Sequence, residues 1–598
     1  MVAAPVVAAG AMSWAAFSPE AIGAAPRKPN IIVILADDLG YNDVSLNGNP
    51  LVRTPNIDSI AKDGVRFAEG YTGDAVCAPS RAALLTGRYP QRFGFEYLPH
   101  LGGFVHAMDG TYVKPDYPAT ILSGDDVKIA PEKNGLPETE ITIAQMLKGA
   151  GYSTAIFGKW HMGLAPDQQP GKRGFDEHVY YPGGAMFHAQ PDDPNTVSFK
   201  LPWDGIDHWL WANMKPMIVR GDVRGPIKGW LGDELTNAAT DYIERHKDKP
   251  FFIYFAYPEA HTPLQAPKDI YAKNAFIKDE RTRVYYSMIE AMDRNVGQLL
   301  DKVRELGLDK DTIVIFTSDN GGAHYTRIPW ENLPYRGWKI TFFRGGVSIP
   351  YFVRWTGHIA PGQTVPGIAS TLDIFPTAAA AAGAKLATDR KYDGRNLLPV
   401  LEGGPNDLAD RTLYWRNEDY YLLRDGKYTL QVSKYPDKVW LFDLSKDPTE
   451  RINLAPFMPD KVKELKAVLA GIDKEMVKPA WPAAQRNRVD VDGFAEETGG
   501  GRLELPVQAL AQRHEIRPPA RLAPEGIPDG HRLPIGHQAS EIPFQHGDQL
   551  LGGAGTGRRD VGSPVAAVFA DHVFERGGEQ GVLALEVEVH DPGRKPCG

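Results

Sequence analysis

Two hydrophobic patterns alternate from Lys28 to the Gly403-Gly404-Pro405 break. One is the short unbroken apolar run. Ile31-Ile32-Val33-Ile34-Leu35-Ala36 is the clearest, and its β-branched residues mark a strand buried on both faces. Ser153 to Phe157, Phe251 to Ala256 and Ile313 to Phe316 read the same way. The other pattern is helical spacing. Ile143 to Gly149 is one such stretch. Val284, Met288, Met292, Val296, Leu299 and Val303 form another, with Gly307 placed to end it. Strands alternating with helices predict an α/β fold: a large mixed, mostly parallel sheet flanked by helices. After the break, Tyr420 to Leu423, Tyr428 to Val432 and Trp440 to Leu444 are short runs at hairpin spacing, and Asp460 to Met476 is amphipathic. They predict a smaller C-terminal α+β domain. The expected organisation is a signal-like segment at 1–25, a main domain at 26–405, an antiparallel-sheet plus helix subdomain at 406–489 and a tail at 490–598.

Composition narrows the partners. The 598 residues are 42% hydrophobic and 24% charged, ordinary for a globular chain, and the net charge is −9. With no basic run, nucleic acid is not an expected partner, and an anionic ligand would need a local basic pocket. No run of 18 apolar residues exists, so no transmembrane segment is expected. Residues 1–25 are Ala-rich and end in Gly23-Ala24-Ala25, which suits a signal peptidase, although the start lacks Lys or Arg. Export, to a periplasm or outside the cell, is the expectation. From Asp490 the chain becomes rich in Gly, Pro, Arg and His and loses periodicity until Val582 to Val589, a possible strand. This tail is expected to be disordered or non-native, and no function attaches to it.

The strand ends carry the chemistry. Asp37-Asp38 and Asp319-Asn320 each close an apolar run, and ligands of parallel sheets gather at the carboxyl ends of strands. Three carboxylates and an amide oxygen are a hard-oxygen set, suited to Ca²⁺ or Mg²⁺. Gly158-Lys159-Trp160-His161-Met162-Gly163 also follows a strand. There Lys159 offers a point cation and His161 a proton exchanger. His261 in His261-Thr262-Pro263 follows the Phe251 strand. Cys77 has no partner for a disulfide framework, since the other cysteine is Cys597. It is either a buried apolar filler or a reactive group. Pro79 and Ser80 are placed to open a short helix running from Ser80 to Thr86 and ended by Gly87. Arg81 adds a planar fork of donors suited to an oxyanion.

Cys77-Ala78-Pro79-Ser80-Arg81, with Leu85-Thr86-Gly87-Arg88, resembles the signature of type I sulfatases, and the other motifs occur in that family's order. The resemblance extends to about residue 480 and to the ending Leu441-Phe442-Asp443-Leu444 … Asp447-Pro448-Thr449-Glu450 … Asn453-Leu454. It implies an alkaline phosphatase-like fold and conversion of Cys77 to formylglycine by a formylglycine-generating enzyme. It also implies calcium, or magnesium, held by Asp37, Asp38, Asp319, Asn320 and the modified Cys77. The implied reaction is hydrolysis of an aryl or carbohydrate sulfate ester through a covalent sulfo-enzyme intermediate. Arg81, Lys159, His161, His261 and Lys339 are the implied catalytic set. Arg344 departs from the pattern, which commonly has Glu before Gly345-Gly346, so an altered buried ion pair or rim charge is expected there. The same superfamily includes phosphodiesterases and phosphonate monoester hydrolases, and a silent binding protein of this fold is the non-enzymatic alternative. The stretch from His178 to Trp230 is the expected specificity region. Most of its Tyr180, Tyr181, His188, Trp203, His208, Trp209 and Trp211 are expected to pack the insertion rather than face a ligand.

Overall fold

A computed structural model of the chain describes residues 27–99, 119–122 and 129–491. The signal-like segment and the possible strand from Val582 to Val589 lie outside the described residues. The central sheet has ten strands. From one edge they run Gln363–Ser370, Val65–Tyr71, Tyr351–Trp355, Thr312–Ser318, Asn30–Ala36, Phe251–Ala256, Ser153–Lys159, Glu177–Tyr181, Met217–Arg220 and Val223–Pro226. Five adjacent strands, from Thr312–Ser318 to Glu177–Tyr181, are mutually parallel. Tyr351–Trp355 and Met217–Arg220 run against their neighbours, which makes the sheet mixed as expected.

The unbroken apolar runs are explained by two cores. Ile32, Ile34 and Ala36 face one, with the long helix Glu280–Glu305 and the helix Leu231–His246. Ile31, Val33 and Leu35 face the other, with the helices Cys77–Thr86, Ile143–Gly149 and Ile374–Ala382. Alternate side chains of one strand therefore enter opposite cores, and neither face tolerates a polar residue. The long helix begins at Asp279, whose carboxylate accepts the Thr282 N–H at 2.9 Å, and it is followed by Gly307 at φ 69°.

The strands reach further than their apolar runs. Thr317, Ser318, Gly158 and Lys159 are buried and continue the parallel ladders. The helix expected from Ser80 starts instead at Cys77. Pro79 falls in the first turn, where a missing N–H costs nothing because the early N–H groups have no intrahelical acceptor. Among the described residues no helix is long and apolar enough to cross a membrane.

Beyond the large sheet, Thr412–Asn417, Tyr420–Asp425, Tyr428–Lys434 and Asp437–Asp443 form an antiparallel meander. Leu465 and Leu469 of the helix Pro459–Asp473 pack on one face of it, against Leu423, Leu430 and Leu441. Trp415, Trp440 and Phe442 on the other face meet Phe342, Phe343 and Tyr71 of the main sheet region. The ending motif pins this small antiparallel region: Asn453 bonds Leu441 N–H and Val439 O at 2.9 Å each, and Glu450 accepts the Arg344 N–H at 2.7 Å.

Gly158 shows how tightly the sheet is closed beside Lys159. Its φ is 105°, and a Cβ there would lie 1.9 Å from Ala256 O. Gly158→Ala is therefore expected to cost about 3 kcal/mol or more. Gly149→Ala, where a Cβ meets open space, should change stability by less than about 1 kcal/mol. Urea unfolding of both variants checks the contrast.

Candidate active site

The parallel strands deliver their carboxyl ends to one edge of the sheet, and the expected residues arrive there together. Asp37 and Asp38 follow Asn30–Ala36, and Asp319 and Asn320 follow Thr312–Ser318. Lys159 ends its own strand, His161 lies two residues on, and His261 follows Phe251–Ala256. The register that pairs Ala36 with Ser318 sets Asp37 beside Asp319. Cys77 and Arg81 come from the first turns of the buried helix Cys77–Thr86. Lys339 is placed by backbone bonds: its N–H donates to Gly322 O at 3.0 Å, and that of Ile340 to Ala75 O at 2.9 Å. Gly-Gly pairs allow that approach, since a Cβ on Gly321 would stand 1.9 Å from Gly345 O.

Donor atoms of Asp37, Asp38, Cys77 and Asp319 lie within 4.8 Å of one another, all buried. The Cys77 sulfur is 3.6 Å from both Asp37 Oδ1 and Asp38 Oδ1. Asn320 donates to Asp38 Oδ1 at 2.8 Å and to Gly321 O at 2.9 Å, which leaves its buried Oδ1 without a hydrogen-bond partner. Three carboxylates around an unused amide oxygen fit a hard divalent cation. Cations of the chain ring the same oxygens. Lys159 Nζ lies 2.6 Å from Asp37 Oδ2, and Lys339 Nζ 2.7 Å from Asp38 Oδ2. Arg81 points its fork at carboxylates: Nη2 is 2.7 Å from Asp319 Oδ2 and 3.3 Å from Asp37 Oδ1.

Electrostatics separates the groups. Burial opposes the charge of Asp38, yet Lys339, His261 and Lys159 hold its carboxyl well below the usual range. Burial likewise opposes the charge of Lys339, but Asp38, with Cys77, Tyr325 and Asp37, together outweighs it, so the ammonium persists. Burial pushes the Cys77 thiol far up, against the pull of Lys159 and Lys339, so at neutral pH it is not a thiolate. Burial, reinforced by Lys159, Arg81 and Lys339, drives His161 well below the ordinary histidine range. Burial lowers His261 to about 3, with Asp38 opposing. His261 Nδ1 lies 2.7 Å from Thr262 O, which can only accept, so Nδ1 carries the proton and Nε2, 3.7 Å from Asp38 Oδ2, is left to exchange one.

Some functional groups had no signal in the sequence. Tyr325 donates to Asp38 Oδ2 at 2.9 Å. Glu259 and Ala260 clamp Asp37 by its backbone, at 2.8 Å and 2.6 Å. Both contacts join segments far apart in the chain, and neither residue type is distinctive in a loop. Arg344 is buried and faces the segment that follows the antiparallel meander, with Nη1 2.9 Å from Pro448 O and its guanidinium 3.9 Å from the Tyr335 ring centre. It is not a rim charge. Of the aromatics in the expected specificity region, Tyr180, Tyr181, His188 and Trp209 are buried, Trp203 and Trp211 half-buried and His208 exposed.

A mixed α/β sheet with clustered carboxylates and lysines at its carboxyl edge defines an ester hydrolase of the alkaline phosphatase superfamily. The chain belongs to the sulfatase family, whose family model matches residues 29–384. It is 31% identical to the steryl-sulfatase of Mus musculus over 549 residues, covering 77% of this chain and 83% of that one. With the N-acetylgalactosamine-6-sulfatase of Mus musculus it shares 34% identity over 419 residues, 68% of this chain and 72% of that one. The crystal structure of Ps i-CgsB in complex with k-i-k-neocarrahexaose superposes with a TM-score of 0.64. That structure is 27% identical and covers 80% of this chain and 99% of its own. These likenesses make the protein a sulfuric ester hydrolase.

Behind the Asp37–Gly40 turn lies a second acidic pair. Asp43 Oδ2 accepts the Tyr285 hydroxyl at 2.6 Å and the Gly40 N–H at 2.9 Å, while Oδ1 is buried without a partner. Burial raises Asp43 to about 7. Burial and Asp43 together raise Glu331 well above the ordinary range. The folded chain keeps a proton on Asp43 that the unfolded chain gives up near pH 4. The stability it contributes is thus full below about pH 4 and lost as pH rises through about 7. Asp43→Asn is expected to flatten that decline, read from denaturant midpoints between about pH 5 and 8.

Proposed function

We propose that the protein hydrolyses aryl or carbohydrate sulfate esters with a formylglycine derived from Cys77 and a calcium or magnesium ion held by Asp37, Asp38, Asp319, Asn320 and position 77. The observation that carries the reading is the convergence of the Cys77 sulfur, three carboxylates and three cations at one buried edge. A thiol that burial keeps protonated is a poor nucleophile, which favours a converted side chain. A hydrated aldehyde at position 77 would supply one hydroxyl to attack sulfur and a second whose loss of a proton would return the aldehyde and free sulfate. The ion, when bound, raises the acidity of the attacking hydroxyl and polarises the sulfuryl group.

The chain's own residues divide the remaining work. Lys159 and Lys339 bring ammonium groups to the oxyanion. Arg81 holds Asp319 and Asp37 in place, a positioning role that its contacts favour over direct contact with sulfate. His161, neutral at working pH, takes the proton whose loss releases sulfate. His261 or Lys339 gives a proton to the departing alcohol, His261 through an Nε2 that must first take one up, because burial keeps the ring neutral. Maturation requires a formylglycine-generating enzyme as partner, and the Ala-rich start supports export to the periplasm or beyond the cell.

The first test is mass. The tryptic peptide carrying position 77 from active enzyme should be lighter by roughly 18 Da than its thiol form. Full activity with an intact thiol would sink the mechanism. Chelation should abolish turnover and lower the melting midpoint, because the ion binds only the folded chain.

The two histidines should fail differently. His161→Ala is expected to release at most one alcohol per enzyme molecule in rapid-mix assays with 4-nitrophenyl sulfate. His261→Ala should slow alcohol release by about 10²- to 10⁴-fold for alkyl sulfates and least for activated aryl sulfates. Identical bursts and identical leaving-group dependence would refute the division.

A further inference from the structure

We propose that His188 is a positioning residue for the leaving-group step, holding the main chain of His261 so that His261 Nε2 meets the departing oxygen. The inference rests on the sulfate-ester reading and adds to its machinery a residue from the stretch between His178 and Trp230. His188 is 0% exposed, so it acts through a neighbour and not on a substrate. That neighbour is His261. His188 Nε2 lies 2.9 Å from His261 O, and a carbonyl only accepts, so Nε2 carries the proton and is the donor. The His261 N–H in turn donates to Pro258 O at 3.1 Å. The His261 ring is tied by Nδ1 to Thr262 O at 2.7 Å. Main chain and ring are thus both fixed, and Nε2 is the atom left to face the site.

The imidazole that makes this bond is itself held on several sides. It stacks on Trp230, with ring centres 5.4 Å apart and planes 18° from parallel. The His188 N–H donates to Gln265 Oε1 at 2.9 Å, and the Leu231 N–H donates to His188 O at 2.6 Å. Gln265 lies on the strand Leu264–Pro267, four residues beyond His261. On the other side of the ring, Nδ1 faces Glu259 Oε1 at 3.8 Å. Glu259 is also the residue whose carbonyl accepts the Asp37 N–H at 2.8 Å. A Cβ on Gly232 would stand 2.9 Å from Glu259 Oε1, so glycine leaves the room that the carboxyl group occupies. One buried residue therefore meets the loop 259–265 at its start, at His261 and at its end. A misplacement of about 1 Å can cost on the order of 10²-fold in rate. Loss of the His188 bond therefore falls on the proton transfer at His261, while the cations that meet the sulfuryl oxygens stay where they are.

The test uses the full chain, converted at position 77, and compares 4-nitrophenyl sulfate with an alkyl sulfate. A glutamine amide nitrogen reaches the place of the imidazole Nε2, and an asparagine amide nitrogen that of Nδ1. His188→Gln thus keeps a donor for His261 O, and His188→Asn removes it. His188→Asn should raise the aryl-to-alkyl ratio of kcat about tenfold, with KM for the alkyl ester within about twofold of wild type. His188→Gln should hold the ratio within about twofold. In a His261→Ala background, His188→Asn should change the ratio no further. A ratio of two substrates on one sample is independent of the folded fraction, so lost stability alone leaves it unmoved. A ratio unchanged in His188→Asn, raised equally in His188→Gln, or raised again on top of His261→Ala overturns the positioning role, while turnover of 4-nitrophenyl sulfate keeps the sulfatase reading. Failure of the wild type on both esters overturns both.

Discussion

Every charge of the site is buried, and each is tolerable only because of the others. Taking a carboxylate or an ammonium out of water costs several kcal/mol even after relaxation. Here Asp37 is met by Lys159 and Arg81, Asp38 by Lys339, and Asp319 by Arg81. The constraint reaches into the sheet. Asp37 and Asp319 share Arg81 only because Ala36 and Ser318 are in register. A slip of one residue would leave carboxylates uncompensated inside the protein. The electrostatics and the strand pairing therefore enforce one another.

The same constraint explains what could be read from the sequence. Apolar runs ending in Asp-Asp or Asp-Asn are visible because burial on both faces excludes polar residues until the strand ends. Thus Asp37, Asp38, Asp319 and Asn320 were legible, as were the strands beneath them. The direction of the Arg81 fork was not, because it depends on Asp319, which lies 238 residues away. Tyr325 and Glu259 escaped for the same reason: their partners are set by topology and not by local pattern. The edge hairpin of Met217–Arg220 and Val223–Pro226 has short, partly exposed strands with little apolar signal. The start of the helix at Cys77 was missed because proline suits several positions of a first turn.

Arg344 illustrates how a departure from a family pattern is absorbed. Its guanidinium donates to Pro448 O of the ending motif and lies over the Tyr335 ring, while its backbone N–H donates to Glu450. Burial raises Glu450 to about 7, opposed by Arg344 and the Thr429 bond. The position joins the main sheet region to the meander, behind the loop that carries Lys339. A change there acts on how that loop is seated, and not on the charge seen by a ligand.

The spacing of Arg81 and Asp319 also sets a clock. A ribosome adds about 5–20 residues per second, so the 238 residues between them take roughly ten to fifty seconds to synthesise. During that interval the central strand that carries Asp319 does not yet exist, and the helix Cys77–Thr86 has nothing to close against at that edge. In the finished protein Cys77 is only 2% exposed. On the formylglycine proposal, an enzyme that converts this side chain would therefore work against the speed of translation, and slowing or hastening synthesis between these two segments would change the fraction of molecules converted at position 77.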